Sequence, residues 1–465
     1  MSVGIKKHNN PLVPAVACGF LELLRLVFGG KSNALLRKCQ EFSHKKNDGG
    51  RRAEARKQEG KRKSREEKRN KTGDTVGVFP ESITFVAKYA CARYAGAENN
   101  KMSQDNSTSI ETPRTLLGMS EEQLRDVALS LGLPRFAGKQ IAQWLYGRAA
   151  SRFEEMTNLS LAARSILAEH CRIGRSEPLD VKRSADGTAK YLFPTLSGHR
   201  VETVFIPDGE RGTVCVSCQV GCKMGCRFCM TGRQGFQGQL TAADIVNQII
   251  SLPERDRLTN VVFMGQGEPM DNLEAVMAAI EVLTEPWGWA WSPRRITVST
   301  VGIGTHGALR HFLNESRAHL AVSLHHPSHE GRLALMPAER AFPLNDTLAL
   351  LREYDWSGQR RLTFEYTMLA GVNDTEVHAK ALARLLRGLE CRVNLIRFHR
   401  IPDAPFDGSS DATIERFRDE LNRRGITATI RASRGEDIWA ACGLLNTAPS
   451  NLPPPGEASK AAEQK

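Results

Sequence analysis

The sequence predicts an α/β protein whose larger part is a parallel sheet, either an incomplete (β/α) barrel or a doubly wound sheet. Two observations lead there. From residue 212 onward, apolar β-branched runs alternate with segments of helical period, giving six βα units. Polar residues also converge at the carboxyl ends of those runs, where ligands gather in both architectures. The predicted strands are "TVCVSC" (213–218), "TNVVFMG" (259–265), "RRITVST" (294–300), "HLAVSLH" (319–325), "RLTFEYTML" (361–369) and "CRVNLIRF" (391–398). Helical patterns such as "TAADIVNQIISL", "NLEAVMAAIEVL", "LNDTLALLREY" and "TEVHAKALARLLRGL" lie between them.

The elements follow in order. Residues 1–112 show no sustained periodicity and hold the run 45–71, with 13 Lys/Arg against 5 Asp/Glu. That run supplies eight of the chain's twelve net positive charges, so the remainder is only mildly basic. It reads as a solvated, disordered extension capable of nonspecific attraction to phosphates. Residues 11–28, broken by Glu22 and Arg25, only weakly imitate a signal or organellar targeting peptide, and Met102 offers a second start. At 113–178 a small helical domain is expected: Ser120 and Gln123 form a capping pattern before an apolar helical face, and "FAGKQIAQWLYGRAA" and "SLAARSILAEHC" continue it. The runs "AKYLFPTL" and "HRVETVFIP", parted by Ser197-Gly198, predict a β-hairpin within a linker at 179–211. The core spans 212–446 and closes with a helix at "DATIERFRDELNRRG" and a strand at "TATIRAS"; the Pro-rich tail 447–465 reads as disordered.

Composition excludes some classes. No apolar stretch approaches the roughly 20 residues a membrane span needs. Five of the 11 cysteines fall within 215–229, whereas a secreted disulfide framework would spread them through the fold. The clustering favours a metal site in a reducing compartment. Two metal readings compete. Cys215/Cys218 and Cys226/Cys229 are both C-x2-C pairs and suit a four-thiolate zinc. Alternatively, Cys222, Cys226 and Cys229 form C-x3-C-x2-C, a spacing that no other three of the five give. Three thiolates on a [4Fe–4S] cluster leave one iron open to a substrate or cofactor.

The triad follows the first strand, and "GQGEP" (265–269) ends the second. Together these resemble the radical S-adenosylmethionine (SAM) superfamily, and the chain is then expected to form an incomplete (β/α)6 barrel. Near the other end, "RGEDI" and "ACG" (434–443), taken with "VETVFIPDGERGTVCVSCQVGC" (201–222), resemble the RlmN/Cfr family of RNA methyltransferases over about 113–446. The chemistry explains why such an enzyme needs a radical: C2 of adenine lies between two ring nitrogens and is too electron-poor to attack the methyl of SAM.

The resemblance implies Cys222, Cys226 and Cys229 as cluster ligands. It implies Gly267, Glu268, Ser299, Ser323, Leu324, His325 and Asn394 as SAM contacts. One SAM methylates Cys442, and a second is cleaved to a radical that activates that methyl for addition to the base. Glu202 takes the proton from the base carbon. Cys215 attacks the sulfur of Cys442, giving a disulfide and free methylated RNA. Expected partners are 23S ribosomal RNA, transfer RNA and an electron donor such as flavodoxin or ferredoxin, with a monomer in the cytoplasm, or in an organelle if the extension is a targeting segment. The target base must be unpaired or flipped out. The residues depart from the family's pattern at Gln266, where Met is usual, and at "NLIRFHRIP". Methylation at C8 of adenine, the Cfr branch, uses the same two cysteines and is the nearest rival. A zinc-ribbon RNA-binding module is the non-enzymatic one.

Overall fold

The computed structural model describes residues 113–358 and 360–446; the readings made of 1–112 and 447–465 lie outside the described residues. Strands β1 (Arg114–Thr115) and β2 (Cys171–Arg172) pair in parallel and bracket three α-helices, Glu121–Ser130, Ala137–Ala142 and Leu161–His170. The second runs on into a π turn at Gln143–Gly147. Ser120 and Gln123 form the reciprocal cap: Ser120 Oγ accepts the Gln123 N–H at 3.2 Å and Gln123 Oε1 accepts the Ser120 N–H at 2.9 Å. This segment packs directly on the rest. The Trp289 indole donates to the Tyr146 carbonyl at 2.9 Å. Gly118, at φ +83°, lies so close to helix Ala242–Ile250 that a Cβ there would fall 2.6 Å from the Ala243 nitrogen. That helix is consequently buried from Ala243 to Ile250.

Strands β3 (Asp180–Arg183), β4 (Ala189–Pro194), β5 (Arg200–Asp208) and β6 (Arg211–Cys215) run antiparallel in succession. The hairpin is therefore one part of a meander that belongs to the main sheet. β3 escapes the sequence pattern because all four of its residues are exposed and carry no alternation. After β6 a ribbon of β7 (Gln219–Gly221) and β8 (Phe236–Gln239) brackets the cysteine loop. Gly221 has φ +73°, and a Cβ on it would fall within 1.6 Å of the Gly235 carbonyl oxygen, so only glycine lets this ribbon close.

The sheet continues through β9 (Asn260–Phe263), β10 (Ile296–Thr300), β11 (His319–Ser323), β12 (Leu362–Met368), β13 (Arg392–Arg397) and β14 (Thr427–Ile430). From β6 onward all pairings are parallel, and each strand lies beside its predecessor in that series. A doubly wound sheet needs its strand order to reverse at a switch point. This order never reverses. β5 occupies the outer edge of β6 and β14 pairs only with β13, so the architecture is an incomplete barrel. Strands buried on both faces explain why these runs read as continuously apolar; β12 is buried at all seven positions. No helix among the described residues is long and apolar enough to cross a membrane.

Candidate active site

A cavity opens at the carboxyl ends of the parallel strands. Cys222, Cys226 and Cys229 line it from the loop between β7 and β8. The loop is held by backbone bonds from Cys222 N–H to the Gly235 carbonyl (3.1 Å) and from Arg227 N–H to the Leu335 carbonyl (3.0 Å). Burial pushes the Cys222 thiol up to about 12 and raises Cys226 and Cys229 as well, and the charges of the neighbouring thiols push Cys226 further. Metal binding requires thiolates, so three buried sulfurs that repel one another as anions call for a cation among them. Three soft donors on one loop fit an iron–sulfur cluster with one iron left open. The four-thiolate zinc does not assemble. Cys215 and Cys218 do not line this cavity, and Cys215 packs instead among Val204, Val262, Ala440 and Leu445. Among the described residues no three His, Cys, Asp or Glu side chains gather as ligands of a single ion, a convergence that cluster ligands, each on its own iron, do not need.

Gly267, Glu268, Ser299, Ser323 and His325 line the same cavity. Gly267, at φ +104°, runs against Gln219, whose nitrogen would stand 2.7 Å from an added Cβ. Gln219 Oε1 then accepts the Glu268 N–H at 2.8 Å. The Glu268 carboxylate accepts from Met270 N–H (3.1 Å) and Val301 N–H (2.9 Å), while burial pushes it up to about 7. His325 holds a left-handed backbone, φ 55°. Asn373 donates to its carbonyl at 2.6 Å, and its Nδ1 accepts the Thr367 N–H at 3.0 Å. Burial pushes this imidazole down to about 3, so it is neutral. Strain over-determined in this way is common where a site must be pre-formed. Leu324 and Asn394 lie outside the lining. Leu324 N–H donates to the Glu365 carbonyl at 3.0 Å, and Asn394 turns its carboxamide to Glu365 and Thr429.

The remaining predicted residues meet around the irregular segment 431–446. Cys442 is exposed and lines the cavity with the three loop thiols. Cys215, at the end of β6, is buried; its thiol is pushed up to about 12 by burial first and then by charge on Cys442, so the two sulfurs are electrostatic neighbours. Glu202, one pleat back on β5, is also buried and outside the cavity lining. Its carboxylate pairs with Lys190 Nζ at 2.9 Å and accepts the Asn446 N–H at 2.7 Å. Burial raises it; Lys190 opposes that shift.

Comparison with known proteins assigns this arrangement. Residues 216–382 match the radical SAM superfamily, and residues 114–173 match the ribosomal RNA large subunit methyltransferase N-terminal domain. A Bacteroides thetaiotaomicron protein named "Probable dual-specificity RNA methyltransferase RlmN" is 56% identical over 333 residues, covering 72% of this chain and 96% of its own. The chain belongs to the RlmN family of radical SAM RNA methyltransferases. The Halorhodospira halophila "Dual-specificity RNA methyltransferase RlmN" is 44% identical, over 72% of this chain and 93% of its own. The crystal structure of a radical SAM methyltransferase from Sphaerobacter thermophilus superposes with a TM-score of 0.69 at 42% identity, over 72% of this chain and all of that one. Membership of the RlmN family carries a [4Fe–4S] cluster, SAM and RNA with it, and the zinc-ribbon alternative falls.

The two departures from the RlmN pattern have structural accounts. Gln266 is fully buried; its Oε1 accepts the Glu202 N–H at 3.1 Å and its Nε2 donates to Gln234 at 3.2 Å, tying β5 to the helix after Cys229. His399 lies within 2.9 Å of Ser433 Oγ and 3.0 Å of a Glu436 carboxylate oxygen, so it tethers the segment that carries Cys442. Sequence reasoning passed over Arg332, Glu365 and Arg431. Arg332 is buried and donates to the carbonyls of Val301 (2.6 Å), Ser323 (2.9 Å) and Leu324 (3.2 Å), clamping the ends of β10 and β11. Glu365 had a visible signal: it is the lone charge in "LTFEYTM", a strand otherwise fit for full burial.

Proposed function

We propose that this chain methylates C2 of an adenine in 23S ribosomal RNA, and of an adenine in transfer RNA, through a methyl group carried on Cys442. One juxtaposition supports the reading most: Cys442 lines the cavity of the three loop thiols, and Cys215 lies within electrostatic reach of it. When bound, the cluster and two SAM molecules per turnover supply the methyl group and the one-electron chemistry that an unreactive methyl carbon needs.

The chain's own residues do the rest. Cys222, Cys226 and Cys229 hold the cluster and leave one iron for SAM. Gly267 lets the backbone approach, and the Glu268 carboxylate takes the amino group. Ser299, Ser323 and His325, on the cavity wall, orient the remainder, and Leu324 and Asn394 act from behind it through their bonds to Glu365. Cys442, exposed at the cavity, bears the methyl carbon that bonds to the base. Glu202, whose basicity burial raises, accepts the proton leaving the base carbon. Cys215 loses its proton and attacks the Cys442 sulfur; the bond from that sulfur to the methylene carbon breaks, the carbon keeps the electron pair and takes up a proton to become the methyl group, and a Cys215–Cys442 disulfide forms. A donor such as flavodoxin or ferredoxin supplies the electron that reductive cleavage of SAM requires, and a dithiol reductant supplies the two electrons that restore the thiols. A monomer in the cytoplasm, where thiols stay reduced, suits this cycle.

The test is anaerobic reconstitution with iron and sulfide, then incubation with SAM, reductant and ribosomal or transfer RNA fragments. Digested RNA is compared by mass spectrometry with 2-methyladenosine and 8-methyladenosine. The reading expects 2-methyladenosine from the wild type and none from Cys442→Ala or Cys222→Ala. 8-Methyladenosine would assign the C8 branch instead, and product from Cys442→Ala would remove the cysteine carrier.

A further inference from the structure

Glu365 stands in the middle of the site and has no role in the cycle just described. It lies on β12, in register with Ser323 on β11 and with Asn394 on β13, so the three residues sit side by side across adjacent parallel strands. Its side chain lines the cavity and is almost fully buried. One carboxylate oxygen is engaged: Oε1 accepts from Asn394 Nδ2 at 2.9 Å, and Asn394 Oδ1 in turn accepts from Thr429 Oγ1 at 2.9 Å. Asn394 thus spends both ends of its carboxamide in aiming Glu365. The other oxygen, Oε2, is buried and has no hydrogen-bond partner. The guanidinium of Arg431 stands 3.8 Å from it, within ion-pair range, and spends an N–H on the Met264 sulfur at 3.3 Å.

A buried acceptor left open beside a cavity costs free energy unless a ligand fills it. Arg431 balances the charge of Glu365 without satisfying that oxygen. The missing partner must be a donor, and it must be carried by a molecule that occupies this cavity. Carboxylates at the ends of parallel strands are matched to ribose, whose hydroxyls donate to them.

We propose that Glu365 is a ligand-binding residue whose free Oε2 accepts a hydrogen bond from a ribose hydroxyl of an adenosine bound in the cavity. Asn394 acts as its positioning residue. Two molecules can bring that chemistry, the adenosine of SAM and the target adenosine of the RNA. The proposal rests on the reading that SAM and RNA share this cavity.

The decisive measurement is a cycle between residue and hydroxyl. The reconstituted wild type, Glu365→Ala and Glu365→Gln are first matched for iron and sulfide content. Their affinities are then measured for SAM and for its 2′-deoxy and 3′-deoxy analogues by equilibrium dialysis. A parallel arm uses substrate RNA with and without a 2′-hydroxyl at the methylated adenosine. Removing the contacted hydroxyl should weaken binding to the wild type about tenfold, the size of one hydrogen bond to a buried charged group. In Glu365→Ala that penalty should disappear, since the two changes delete the same bond. Glu365→Gln keeps an acceptor for Asn394 and turns an NH2 group toward the cavity, so it should lose most of the penalty with the least effect on folding. Coupling in the SAM arm or in the RNA arm identifies which adenosine is held. A hydroxyl penalty unchanged by both substitutions in both arms, with normal wild-type affinity for SAM, would overturn the proposal alone. A wild type that binds no SAM would remove the underlying reading and the proposal with it.

Discussion

Replacing Lys190 with methionine isolates the electrostatics of Glu202. The Lys190 and Glu202 side chains are each only 9% exposed, and their charged atoms lie 2.9 Å apart. Lys190 also donates to the Trp439 carbonyl at 3.0 Å. Breaking a buried ion pair by removing one partner costs about 3–5 kcal/mol. Glu202, however, can bind a proton instead of remaining a stranded anion. A glutamate that titrates near about 4.3 when unfolded needs about 3.7 kcal/mol to hold a proton at pH 7, but only about 1 kcal/mol at pH 5. Those figures cap the charge-dependent loss. The freed Trp439 carbonyl adds about 1 kcal/mol at either pH. The sign follows from linkage: burial raises Glu202 in the fold, so above about pH 4.3 the native state holds more protons than the unfolded chain, and stability drops as pH rises. Urea denaturation of Lys190→Met against wild type should therefore show a deficit at pH 7 that exceeds the deficit at pH 5 by up to about 2.7 kcal/mol. Lys190→Met/Glu202→Gln should remove that pH dependence. An equal deficit at both pH values, or a double variant as unstable as the single one at pH 7, would refute the reasoning.

Other consequences are as direct. Cys215→Ala should stall the cycle after the carbon–carbon bond forms, leaving a covalent protein–RNA adduct that denaturing electrophoresis detects and Cys442→Ala lacks. Because burial holds His325 near about 3, far below its unfolded value, the unfolded chain binds more protons between about pH 3 and 6.5 and the fold loses stability as pH falls through that window. His325→Asn, which keeps an acceptor for Thr367 and tolerates the left-handed backbone, should flatten the acid limb by up to about 1.4 kcal/mol per pH unit in denaturant titrations. Gly221→Ala should lower iron and sulfide per chain on reconstitution, since the added Cβ drives Gly235 away from the cysteine loop. Ser120→Ala, distant from the cavity, should cost about 1 kcal/mol through the lost cap and leave methylation per folded molecule unchanged.

What could be read in the sequence depended on whether a signal was local. β9 to β13 were legible because burial on both faces forces an unbroken apolar run. The three loop thiols that line one cavity were legible as a group because their spacing is a property of eight consecutive residues. The choice between barrel and double winding came only through the family resemblance, since strand order is decided by long-range pairing that periodicity does not encode. β7 and β8, "QVG" and "FQGQ", carry no alternation because their function is to bracket a loop. Cys442 is a single thiol in an irregular turn, visible only through family resemblance. Arg431 looked like one more surface arginine; its place at the cavity, within ion-pair range of Glu365, comes only from the pairing of β13 with β14 that carries it there.

That irregular segment is the part of the fold most shaped by chemistry. Residues 431–446 form no strand, yet they are fastened to three separate elements. The Arg431 N–H bonds the Leu395 carbonyl on β13 at 2.9 Å. Met230 N–H and Thr231 Oγ reach the carbonyls of Gly443 (2.8 Å) and Leu445 (2.7 Å) from the helix behind the cluster loop. Lys190 and Glu202 take Trp439 and Asn446 from the meander. Anchorage at both ends leaves Cys442 presented between them and exposed, as the proposed role of methyl carrier to an external base requires. Cys215 is treated in the opposite way. Burial favours its protonated, poorly nucleophilic form, which in the proposed cycle would shield it from SAM and from premature disulfide formation. Arg431 is the cation whose charge acts on both sulfurs. In the proposed cycle it is the group able to stabilise a Cys215 thiolate once the Cys442 sulfur carries the methylene bridge to RNA. Exposure of one cysteine and burial of the other would thus order the two steps of the proposed cycle, carriage first and release second.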